Sequence, residues 1–201
     1  MIQKPAPNDH PIHEPLAQRW SPRAFDARPI EPATLASLFE AARWSASTFN
    51  GQPWRFIVAT QDHANEFKKM VACLNASNQR WAPNAPVLMM TAAKTTFDAD
   101  GSAHWLHLYD LGLAVQNLIV QATSMGLMAR QMAGILPDVV RETYHVPDDY
   151  VIATGIALGY QGTLDDLDER YHEREQAPRS RKPLSELVFR GDWDQPADLG
   201  G

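Results

Sequence analysis

Apolar positions along the chain recur with two periods. Leu35, Leu38, Phe39 and Ala42 fall at i, i+3, i+4 and i+7, with Pro32 where a first helical turn tolerates it; they predict a helix from Thr34 to Trp44. Phe67, Met70, Val71 and Leu74 repeat that spacing, and Asp62 is placed to cap a helix running to about Leu74. Between the two, Arg55–Thr60 (RFIVAT) reads as a strand. Val87–Ala93 (VLMMTAA), bounded by Pro83 and Pro86, is a second strand, and Tyr150–Leu158 a third whose unbroken apolar character predicts burial on both faces. Trp105–Met125 is apolar nearly all round, broken by Gln116, Asn117 and Gln121, which predicts a central core helix. Pro137–Tyr144 reads as a short helix.

The two ends differ from this middle. Residues 1–15, rich in Pro and His, read as a flexible arm, and residues 194–201 as a polar tail. Asp165–Gln176 is charged enough to predict an exposed segment, after which Leu184–Phe189 (LSELVF) regains strand character. A late strand beyond a charged crossing segment would suit pairing with a partner subunit. No internal repeat or domain-scale linker divides the chain, so residues 16–193 are expected to form one domain.

The formal net charge of −6 over 201 residues argues against a nucleic-acid binder. An acidic chain can still hold an anion in a local basic pocket. The single cysteine, Cys73, excludes an internal disulfide and reads as a packing residue. No apolar run approaches the ~18 residues of a membrane span, and the N-terminus lacks a signal-peptide core, so a cytoplasmic location is expected.

Candidate chemistry lies in three segments. Arg19-Trp20-Ser21-Pro22-Arg23, if extended, turns Arg19, Ser21 and Arg23 to one side and Trp20 and Pro22 to the other. Arg179-Ser180-Arg181-Lys182-Pro183 again spaces two guanidiniums two residues apart. Between them, Ser45–Trp54 (SASTFNGQPW) is rich in amides, with Gly51 available for close backbone approach or a positive φ. Guanidinium forks bind phosphate bidentately, and amides read the edge of a planar heterocycle. Each segment alone also reads as ordinary surface: ion-paired loop, Asn-Gly turn, solvated basic run. Together they fit a nucleotide-like cofactor.

In order and wording, the chain resembles the FMN-dependent nitroreductase family. The matches are Arg19, Ser21, Arg23 and Phe25 at the start, and Ser47, Asn50, Gln52, Pro53 and Trp54 in the amide loop. Further matches are Asn78 and Trp81, Gly126 and Leu127, Gly159 and Tyr160, and finally Arg179 and Arg181. The resemblance implies an α+β fold, a central mostly antiparallel sheet flanked by helices, in an intertwined homodimer whose C-terminal strand extends to the partner. It implies FMN as cofactor and NADH or NADPH as reductant. Hydride would pass through flavin N5 to a small-molecule acceptor (a nitroaromatic, quinone or activated alkene) in a ping-pong cycle, with no catalytic side chain.

By position, Arg19, Arg179 and Arg181 would hold the FMN phosphate, with Trp20 and Ser21 beside them. Arg23 would tune the flavin near N1 and the C2 carbonyl. Asn78 would meet the pyrimidine edge, and Ser47, Asn50 and Gln52 would reach a flavin held mainly by the other subunit. Met132, Ala133 and Gly134 would lie beside N5, where some relatives place a glutamate at the position of Ala133; here only backbone N–H groups could serve N5. His104 and Trp105 would line the substrate cavity. His104, His107 and Asp110 have a helical spacing that could suit a metal but lack further ligands, so no metal is assigned. A surface arginine, Arg80 or Arg130, could read a nicotinamide 2′-phosphate. Open alternatives are an FMN-binding or regulatory dimer without efficient turnover, and a dehalogenating or flavin-degrading relative of the same fold.

Overall fold

The computed structural model describes residues 2–199; the last two positions of the expected polar tail and Met1 lie outside them. Chain order is α1 (Glu14–Gln18), β1 (Phe25–Asp26), α2 (Pro32–Arg43), β2 (Trp54–Thr60), α3 (Ala64–Ala72), β3 (Val87–Lys94), α4 (His107–Ser124), β4 (Met128–Met132), α5 (Pro137–Tyr144), β5 (Tyr150–Gln161) and α6 (His172–Gln176). Short 3-10 turns fill several connections. The fold is α+β, and every strand pair is antiparallel. Strand order is β1-β5-β3-β2, with β4 also paired to β5.

The apolar run that defines β3 explains why it sits centrally. Every residue from Val87 to Ala93 is buried. Period-2 alternation sends Leu88, Met90 and Ala92 into one cluster with Met70, Leu74 and Trp81. It sends Val87, Met89 and Ala93 into another with Leu38, Leu118 and Ile119. Each Leu or Met so buried contributes roughly 1.5–3 kcal/mol. Helices α2 and α4 supply one face of the sheet, and α3 and α5 the other. Strand β5 also feeds both clusters, through Ala157 on one side and Ile156 and Leu158 on the other.

A register shift between Thr91 and Ala92 interrupts the β3–β5 ladder. The Thr91 hydroxyl repairs it, donating to the Thr154 carbonyl at 3.0 Å and accepting from the Thr154 N–H at 3.1 Å. We expect Thr91→Val to keep the shape but orphan the partly buried Thr154 N–H, costing about 1 kcal/mol in urea unfolding. An unchanged midpoint would show that the hydroxyl is dispensable.

Several expectations change. Asp62 does not cap α3; His63 holds that position, without a side-chain cap bond. The strand expected over Leu184–Phe189 is a 3-10 turn at Leu184–Glu186, with Leu184 and Leu187 exposed. Its apolar run, Leu187-Val188-Phe189, is too short to find a core face, and among the described residues Phe189 bridges only to Pro196 of the same chain. Strands β1 and β4 carry too few apolar residues, or too many polar ones (Arg130, Gln131), to announce themselves. The charged stretch 165–176 is not uniformly exposed, because Tyr171 and Glu175 are buried.

The N-terminal residues make defined contacts. Ala6 N–H donates to the Ala17 carbonyl at 2.8 Å, Gln161 reaches the Ile2 carbonyl at 2.7 Å, and Lys4 lies over the Trp20 ring. Cys73 is fully buried, and burial raises its thiol pKa. It packs as expected.

Candidate functional site

After α1 the chain runs extended through Arg19–Arg23, and its residues alternate. Trp20 and Pro22 are buried, while Arg19, Ser21 and Arg23 are half-buried on the opposite side. Arg19 donates to Ser21 Oγ at 3.1 Å. From the other end of the chain, Arg179 donates to the carbonyls of Lys4 and Ala17 at 2.8 and 2.7 Å. Among the described residues, Arg181 bonds only its neighbour's carbonyl, that of Ser180.

These three guanidiniums line one cleft of about 680 Å³ with Ser180, Lys182 and the segment around His10. They feel one another. Burial lowers the Arg19 pKa first, and repulsion from Arg179 and Arg181 lowers it further. Arg179 is lowered likewise, by burial and by Arg181. Among the described residues none of the three has a carboxylate ion-pair partner, although Asp9 stands in the same cleft. Cations gathered without an ion-paired carboxylate suit an anion with several oxygens.

Behind Arg23 lies a group that sequence reasoning missed. Glu175, 1% exposed, accepts from the backbone N–H groups of Arg23 at 2.6 Å and Ala24 at 3.1 Å. Its other oxygen stands 3.8 Å from the Arg23 guanidinium. Arg130, on β4, bonds the Ser21 carbonyl and lies over the Trp81 ring, as Arg23 lies over Tyr171. Burial chiefly, then repulsion from Arg23, lowers the Arg130 pKa to about 10, with Glu175 opposing. Arg130 is therefore a half-buried part of this cluster, not the surface arginine expected. Arg80 is exposed and lines a different cleft, with Arg170 and Arg174.

A third group joins the end of β4 to the turn before Trp81. Asn78 donates through Nδ2 to the Gly134 carbonyl at 3.0 Å and accepts at Oδ1 from Trp81 Nε1 at 3.2 Å. Asn75 N–H also donates to the Gly134 carbonyl, at 3.0 Å. The approach is so close that a Cβ on Gly134 would lie 2.4 Å from Asn75 Nδ2 and 2.7 Å from Asn78 Nδ2. Met132 is buried and Ala133 exposed.

The amide loop stands elsewhere in the chain. Phe49, Asn50 and Gln52 all adopt left-handed φ, at 49°, 57° and 45°, which costs on the order of 1–3 kcal/mol apiece. Asp110 holds the loop, accepting from the Thr48 N–H at 2.8 Å and from Thr48 Oγ1 at 3.3 Å. His104 Nε2 braces Asp110 at 2.9 Å. Gly51 has an ordinary φ of −69°. Its role is close approach, since a Cβ there would meet Phe97 at 2.9 Å and His104 at 3.1 Å. Gln52 N–H donates to Ser47 Oγ at 3.1 Å.

The loop lines a cleft of about 600 Å³ with Phe97, Asp98 and Ser102. His104 stands behind that cleft, with its ring stacked 4.1 Å from Phe97 and only 1% exposed. Trp105 instead projects outward, 79% exposed. No residue lines both this cleft and the arginine cleft. One chain thus brings Arg19, Arg179 and Arg181 together but keeps Ser47, Asn50 and Gln52 apart from them.

Comparison with known proteins bears on the family. The family model described as "Nitroreductase family" matches residues 16–160. A solved structure of an oxidoreductase containing FMN superposes with a TM-score of 0.88 at 32% identity, covering 94% of this chain and 96% of that one. A 15.4 kDa protein in the ask 5′ region of Mycolicibacterium smegmatis is 33% identical over 71% of this chain and 99% of its own length. The major NAD(P)H-flavin oxidoreductase of Aliivibrio fischeri is 41% identical over a shorter stretch, 28% of this chain and 27% of its own.

Proposed function

The chain belongs to the nitroreductase family, and on that premise we propose that it is an FMN-dependent oxidoreductase, reduced by NADH or NADPH, working in the cytoplasm as a homodimer. The carrying observation is the cleft of three guanidiniums without a carboxylate partner. The donor set fits a phosphate monoester of FMN, and the Gly134 turn, packed against Asn75 and Asn78, holds the Asn78 amide in place. Bound FMN supplies the hydride relay between nicotinamide and acceptor.

This chain's residues bind and orient. Arg19, Arg179 and Arg181 would grip the phosphate, with Ser21 bonded to Arg19 beside them; Trp20 faces a separate cleft with Lys4 and Gln161. Arg23 presents positive charge to the pyrimidine side of the ring. Asn78 Nδ2 carries two hydrogens and uses one toward Gly134, leaving one for the ring edge. Backbone N–H groups of Ala133 and Gly134, which follow the buried Met132, would serve N5. Ser47, Asn50 and Gln52 of one subunit complete the site of the other. Support for that pairing comes from exposed apolar side chains around the amide loop and the start of α4, namely Trp44, Phe49, Trp105, Leu108 and Tyr109.

A single slot above the ring would serve nicotinamide and then an electron-poor acceptor. Initial rates with varied NAD(P)H at several concentrations of a quinone or nitroaromatic should therefore give parallel double-reciprocal lines. Intersecting lines would contradict the shared slot.

A further inference from the structure

Resting on the flavin reading above, we propose that Glu175 and Arg130 act with Arg23 as a fixed triad of charges that sets the reduction potential of the bound flavin. Glu175 is a positioning residue in this scheme. It touches no reactant, but it pins the backbone carrying Arg23 and offsets part of that guanidinium's charge. Arg130 is the second cation, bonded to the carbonyl of Ser21 two residues before Arg23.

Three features argue for a device beyond simple packing. A carboxylate 1% exposed is costly unless its partners compensate, and this one spends one oxygen on two backbone N–H groups and the other on a guanidinium. Aromatic faces of Tyr171 and Trp81 back the two cations and limit water's access to them. Residues at opposite ends of the chain meet here, with Glu175 bonded to the backbone at Arg23 and Ala24. Two electrons and one proton delivered to the ring leave one negative charge on its pyrimidine side. Fixed charge nearby therefore shifts the potential with a definite sign, and water is too sparse to screen it fully.

The test is the flavin midpoint potential of the FMN-loaded protein, measured by equilibration with a redox dye. Glu175→Gln keeps the shape and an oxygen acceptor for the Arg23 and Ala24 N–H groups while removing the negative charge. It should favour the reduced form about tenfold, which is about +30 mV for a two-electron couple. Arg130→Gln should move the potential the opposite way by a similar factor, and it keeps the proposal testable if Glu175→Gln folds poorly. Potentials unchanged in both variants, or shifts of the wrong sign, would overturn the triad while leaving the flavin assignment intact. A wild-type protein that binds no FMN would overturn both.

Discussion

Arg181→Ala should lose FMN about tenfold to a hundredfold more readily than the parent protein, while the FMN-free protein melts at the same temperature or slightly higher. The first half follows from removing a charge-assisted hydrogen-bond donor to phosphate. The second half follows from what Arg181 does without a ligand. Among the described residues it bonds only its neighbour's carbonyl, and its charge opposes those of Arg19 and Arg179. A residue kept for folding would not be placed where it repels two others. Equilibrium titration with FMN, followed by flavin fluorescence, gives the affinity, and calorimetry of the FMN-free protein gives the melting point. Unchanged FMN affinity would remove Arg181 from the site.

Glu175→Ala should behave in the opposite sense and destabilise the FMN-free protein itself. Two backbone N–H groups lose their acceptor and the half-buried Arg23 loses its counter-charge. Breaking a buried pair from one side costs about 3 kcal/mol or more. In a chain of this length that corresponds to a melting point roughly 6–12 °C lower. Glu175→Gln should recover most of that loss, because an oxygen still accepts from both N–H groups. A Glu175→Ala protein as stable as the parent would mean that water replaces the carboxylate, and the anchoring role would fall.

Arg181 and Glu175 also mark where sequence reading works and where it stops. The basic run around Arg181 stays basic wherever it folds, so it could be picked out in the sequence, although only together with the other two segments did it suggest an anion site. The apolar run of β3 was equally plain, since burial on both faces leaves no polar position to confuse it. Glu175 was not legible. It sits in His172–Gln176 among charged neighbours, and its burial depends on donors some 150 residues away in sequence. Arg130 escaped for a different reason: β4 is short and interrupts its own alternation. The amide loop was found by composition, but its mechanics were not. Asn50 takes the left-handed turn and Gly51 supplies the close approach, a division that follows from the His104–Phe97 stack packed against the glycine. The late strand expected at Leu184–Phe189 rested on a short apolar run, and three apolar residues in a row do not make a strand.

The visible absorbance spectrum of the purified protein, taken anaerobically before and after NADH or NADPH is added, tests the central claim most directly. The account predicts flavin bands that bleach with at least one donor and return when a quinone or nitroaromatic is supplied. Bands that persist with both donors would contradict the oxidoreductase, and a protein that stays colourless after FMN is offered would contradict the binding site itself.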